Sequence, residues 1–168
     1  MEYVRIGCAC LIGLVFVVTA MSKARDFGGF ARSLPELVPV RPALVRPLAA
    51  GVVALEALIP LLIAVPPATA YGLGLAAALL AAFTVAIGAA LARGRRAPCR
   101  CFGASSTPIG PRHLARNGLL LTAAVLGALS PAGLPPLAGV VVTVAAGLVG
   151  AILVVFFDDI VDLFARTI

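Results

Sequence analysis

The sequence predicts an all-α protein: a polytopic membrane helix bundle of about five transmembrane helices, with four possible. Three observations carry this. Of its 168 residues, 62% are hydrophobic and only 12% charged, about half the charged share of a soluble domain. Mean hydropathy is +1.14, more apolar surface than one water-soluble core could bury. Apolar runs of roughly 20 residues recur along the chain, the length that crosses a bilayer. A single membrane domain, 1–168, accounts for all of it.

The first span runs from about Val4 to Met21. Its short charged lead and the lack of a small-residue cleavage site mark it as a retained helix rather than a signal peptide. The next stretch, Lys23 to Arg46, can hold a short interfacial helix with Phe27, Phe30 and Leu34 toward lipid. Pro35, Pro39, Pro42 and Pro47 are expected to break it before the second span, about Leu44 to Val65. Pro66-Pro67-Ala68-Thr69 reads as a tight turn into the third span, about Tyr71 to Ala92. A basic segment precedes the fourth and shortest span, about Leu114 to Leu129. A second uncharged turn, Ser130 to Pro136, leads into the fifth span, about Leu137 to Phe157. Ala146 and Gly150 form a small-xxx-small pair, and Ala76-Ala77-Ala78 adds small residues to the third span; both favour close helix contact.

The formal net charge is +6, but aromatics are scarce and the arginines fall in short clusters between apolar spans. That pattern excludes nucleic-acid binding and matches the positive-inside rule. Lys23, Arg25, Arg32, Arg41 and Arg46 in one loop, and Arg93, Arg95, Arg96, Arg100 and Arg112 in another, with Arg116 just beyond, place both loops in the cytoplasm. The N-terminus is then outside and the C-terminus inside. The acidic end, Asp158, Asp159 and Asp162, reads as a solvated terminus.

Little in the chain can do chemistry, which directs attention to its thiols. Cys99-Arg100-Cys101-Phe102-Gly103 sets two cysteines one residue apart in a polar, arginine-rich loop. A disulfide across so small a ring is strained, and strained exposed disulfides are the labile ones. Arg96 and Arg100 favour thiolate over thiol, and the N-terminus of the following helix acts in the same direction. The same two sulfurs could instead bind a soft metal such as Cu(I), although two ligands make an incomplete site. Cys8-Ala9-Cys10 repeats the spacing inside the first span. There, residues two apart point to different faces, so packing is the simpler reading. Three spans separate the two pairs, which puts them toward opposite ends of the bundle, on the order of 20 Å apart.

Glu56 is the second signal. A carboxyl inside a span is costly, so it must face the bundle interior and find a partner. Pro60 follows it by one helical turn and frees the Glu56 carbonyl. Lys23, Asp26, His113, Arg116 and Asn117 are the other polar candidates near span ends. His113 could serve as a base toward a thiol or simply begin its helix at the interface.

Three features resemble one family. Ser22-Lys23-Ala24-Arg25-Asp26-Phe27 follows the first span, Glu56 lies in the second, and Cys99-Arg100-Cys101-Phe102-Gly103 precedes the fourth. Together they look like the MauE family of methylamine-utilisation membrane proteins, related to DoxX-like proteins. The resemblance implies a multi-pass protein of the bacterial inner or plasma membrane. Its implied task is maturation of the disulfide-rich small subunit of methylamine dehydrogenase or a similar exported protein. It also implies a thioredoxin-like partner on the outer face. That partner and the arginine distribution pull the Cys99 loop to opposite sides. Electron transfer across the membrane toward Cys8 and Cys10 would reconcile them, and so would an inverted orientation.

The expected site is therefore Cys99 and Cys101 as a redox pair, with the Glu56 carboxyl and Lys23 in support and no cofactor. Alternatives are a small transporter or metal-handling protein, with metal on Cys99 and Cys101 and Glu56 lining a path, and a non-catalytic membrane scaffold.

Overall fold

In the computed structural model, which describes residues 2–94, 110–133 and 136–157, the chain is helical throughout, with no strand among the described residues. Helix α1 is Glu2–Arg25, α2 is Phe27–Leu37, α3 is Pro42–Ala64, α4 is Thr69–Ala92, α5 is Pro111–Leu129 and α6 is Leu137–Val155. A single 3-10 turn, Pro66–Ala68, joins α3 to α4. Four of these segments, Glu2–Arg25, Pro42–Ala64, Pro66–Ala92 and Leu137–Val155, are long and apolar enough to cross a membrane. Helix α5 packs among them, but Arg112, His113, Arg116 and Asn117 occupy its first turns and lower its hydropathy. The chain is a multi-pass membrane protein.

Proline placement follows helix chemistry more than the sequence reading allowed. Pro42 begins α3, where the missing N–H would be unpaired anyway. Pro47 and Pro60 lie inside α3, and Pro35 inside α2, without ending either helix. Asp26 separates α1 from α2 and caps the latter, its carboxylate accepting from the Gly29 N–H at 3.0 Å. The expectation that Phe30 and Leu34 face lipid is overturned. They are 2% and 5% exposed and pack with Ala31 and Ala49 against α3. Helix α2 covers protein, because its apolar stripe meets the first turns of α3 before it can meet lipid. At its far end, the Arg93 guanidinium donates to the Leu37 carbonyl at 2.8 Å, tying α2 to the end of α4.

Helices α1, α3, α4 and α5 form a ring in which α1 packs on α3 and α5, and α4 on the same two. Ile12, Val15, Phe16, Ile59, Leu73, Leu80 and Leu120 fill its centre. Helix α6 lies outside the ring on α1. Its contact stripe is Thr143, Gly147, Gly150 and Ala151, shifted from the expected Ala146–Gly150 pair. Ala146 is exposed, whereas a Cβ on Gly147 would sit 2.8 Å from the Gly7 carbonyl oxygen and 2.9 Å from the Cys10 Cβ. Lipid supplies no hydrophobic drive between helices, so this closeness carries the α1–α6 association. Gly147→Leu is expected to detach α6, seen as faster proteolysis of the Ser130–Pro136 turn and a lower melting temperature in detergent.

Candidate functional site

Lys23 and Glu56 form a buried ion pair, with Nζ 2.6 Å from Oε1 and the side chains 2% and 1% exposed. The backbone explains how a lysine at the end of a span comes to point inward. Side chains lean toward the N-terminus of their own helix. Near the C-terminus of α1, that direction leads into the bundle rather than out to water. The ammonium also lies between two aromatic faces, 5.3 Å from the Phe30 ring centre and 5.5 Å from that of Phe83. Ring quadrupoles and one carboxylate replace the water the cation has lost.

Helix registers place α5 beside this pair. At the other end of the ring, a Cβ on Gly127 would touch both Cys8 and Leu73. Moving from Leu73 to Phe83 in α4, and from Gly127 to Asn117 in α5, covers the same rise of about 15 Å. Asn117 therefore lies level with Phe83, and Arg116 is close enough to Lys23 to repel it electrostatically. His113, Arg116 and Asn117 follow helical spacing and are 3%, 4% and 0% exposed. Each ring helix thus contributes to one polar layer: Lys23 from α1, Glu56 from α3, Phe83 from α4, and Arg116 with Asn117 from α5. The second Glu56 oxygen and the Asn117 amide have no hydrogen-bond partner among the described residues.

This layer lies toward the end of the bundle from which residues 95–109 leave α4 and enter α5. Cys99 and Cys101, with Arg96 and Arg100, lie outside the described residues, as do Asp158, Asp159 and Asp162. Cys8 and Cys10 are free thiols in the first half of α1. Cys8 faces Gly127 of α5, while the Cys10 thiol faces Gly147 and lies 3.7 Å from the Val144 carbonyl of α6. The two thiols diverge toward different helices, as their helical spacing requires.

A family model described as methylamine utilisation protein MauE matches residues 1–130. The chain belongs to the MauE family. The match spans α1 to α5, so the ring and its polar layer lie within the MauE region and α6 lies beyond it. No curated protein and no solved structure matches the chain.

Glu56, inside a span, needs a partner that its sequence neighbours do not identify. Lys23 stands among the polar residues at a span end, and only the packing of α1 on α3 joins the two. The α5 residues carried a weaker signal, because a polar helix start also fits an interfacial position.

Proposed function

We propose that this chain supports thiol–disulfide exchange during maturation of exported proteins. The substrate would be the small subunit of methylamine dehydrogenase or a similarly disulfide-rich protein, handled at the bacterial plasma membrane with a thioredoxin-like partner. The observation that carries the reading is Cys99-Arg100-Cys101-Phe102-Gly103 in a MauE-family chain. The Cys99 thiolate attacks the partner's disulfide, forming a mixed disulfide and releasing one partner thiolate. Cys101, as thiolate, then attacks the Cys99 sulfur and releases the second partner thiolate. The pair ends as a disulfide and the partner as a dithiol; two electrons have moved to the partner, and the direction follows the two potentials. In this scheme the buried Lys23–Glu56 pair holds α1 against α3 and so supports the ring on which α4 and α5 carry the cysteine segment.

The direct test is Cys101→Ser, which removes the resolving thiol. It is expected to accumulate a mixed disulfide through Cys99, visible as a reductant-sensitive band on non-reducing gels that contains a thioredoxin-like protein. Impermeant thiol reagents applied to either side of the membrane then report which face Cys99 meets. A Cys101→Ser protein that never forms such an adduct, in cells where the wild type is active, would remove the basis of the proposal.

A further inference from the structure

We propose that the end of the bundle opposite the polar layer binds the headgroup of a zwitterionic aminophospholipid, an ammonium–phosphate such as phosphoethanolamine. A half-open cavity of about 310 Å³ lies there, lined by Glu2, Arg5, Ile6, Ala9, Ile63 and Thr69 among others. Its size falls at the lower end of small-ligand sites.

Two features of the wall select the ligand class. Glu2 and Arg5 are one turn apart on α1, and both are half-buried at the cavity. Among the described residues, however, neither belongs to an ion pair. Each instead meets a different residue after α5: Ser130 for Arg5 and Gly133 for Glu2. Arg5 donates through Nη1 to the Ser130 carbonyl at 3.3 Å, which leaves its other N–H groups for an anion. The Glu2 carboxylate is pressed against Gly133, where any Cβ would collide with it. The remaining polar lining is already engaged, since the Thr69 hydroxyl lies 3.1 Å from the Ile63 carbonyl and 3.3 Å from that of Val65. One cation and one anion held apart over an apolar floor of Ile6, Ala9 and Ile63 complement a dipolar headgroup with its chain attached. Phosphate meets Arg5, and the primary ammonium donates to Glu2. A trimethylated ammonium has no N–H for Glu2, and an anionic headgroup without a cation would meet the Glu2 charge. The cavity lies at the bundle end where α1 and α4 begin and α3 and α5 end, the end at which helices of membrane-spanning length reach headgroups.

Lipid retention by the purified full-length protein tests this, using native mass spectrometry after exchange with chain-matched phosphatidylethanolamine, phosphatidylcholine or phosphatidylglycerol. Phosphatidylethanolamine is expected to be retained roughly tenfold over phosphatidylcholine, the size of one charged hydrogen bond. Glu2→Gln, which keeps the shape, should abolish that preference. Arg5→Gln should reduce retention of both lipids. Equal retention of all three lipids, a preference for phosphatidylglycerol, or unchanged selectivity in Glu2→Gln would overturn the proposal. So would displacement by free phosphoethanolamine at the lipid's own concentration, which would show that the chains contribute nothing.

Discussion

Replacing Glu56 with alanine is expected to lower the melting temperature of the purified protein by on the order of 10 °C. The change leaves the Lys23 ammonium inside the ring without its carboxylate, 2% exposed and unable to reach water. Removing one partner of a buried ion pair costs about 3–5 kcal/mol, and a protein of this length loses a few degrees per kcal/mol. The two Phe rings offset only a small part of that loss. Lys23→Ala should be similarly damaging, because it strands the carboxylate. The decisive comparison is the double variant Lys23→Met/Glu56→Leu. Apolar replacement of both partners removes the desolvation cost together with the attraction, so stability should return to near or above wild type. If Glu56→Ala melts with the wild type, the pair has no structural part. If the double variant is stable but inactive, the pair contributes something beyond holding α1 to α3.

Changing Cys99 and Cys101 together to serine is expected to abolish maturation of the exported substrate while leaving membrane insertion and melting temperature unchanged. Serine matches cysteine in size but cannot form a disulfide, so the loss should be complete rather than graded. Cys8→Ser/Cys10→Ser serves as the comparison. Those thiols pack on Gly127 and Gly147 in separate helix contacts, and replacing them should affect packing more than exchange. Full activity of the Cys99→Ser/Cys101→Ser protein, measured as active methylamine dehydrogenase in whole cells, would turn attention to the scaffold reading.

The elements most legible in the sequence are those set by local chemistry. Helices α1, α3, α4, α5 and α6 cover the five apolar runs to within a turn at most ends, and four of them, α5 excepted, are long and apolar enough to cross a membrane. Apolar runs must form helices in lipid, because each backbone N–H and C=O needs a partner within its own segment. The uncharged connection Pro66-Pro67-Ala68-Thr69 is the tight turn its composition implies. The divergence of Cys8 from Cys10 follows from helical periodicity alone.

What depended on the fold was which faces meet. Phe30 and Leu34 form the same apolar stripe whether the far side is lipid or protein, and the short connection to α3 puts protein there. Ala146 and Gly147 are equally small, and the rotation of α6 on α1 puts Gly147 in the contact. Composition and periodicity thus settled a membrane helix bundle with a buried carboxyl that needed a partner. Tertiary structure alone supplied the Lys23 ammonium as that partner and set Phe83, Arg116 and Asn117 at its level. Partners so far apart in sequence are joined only by helix rotation and register, which short-range patterns do not encode.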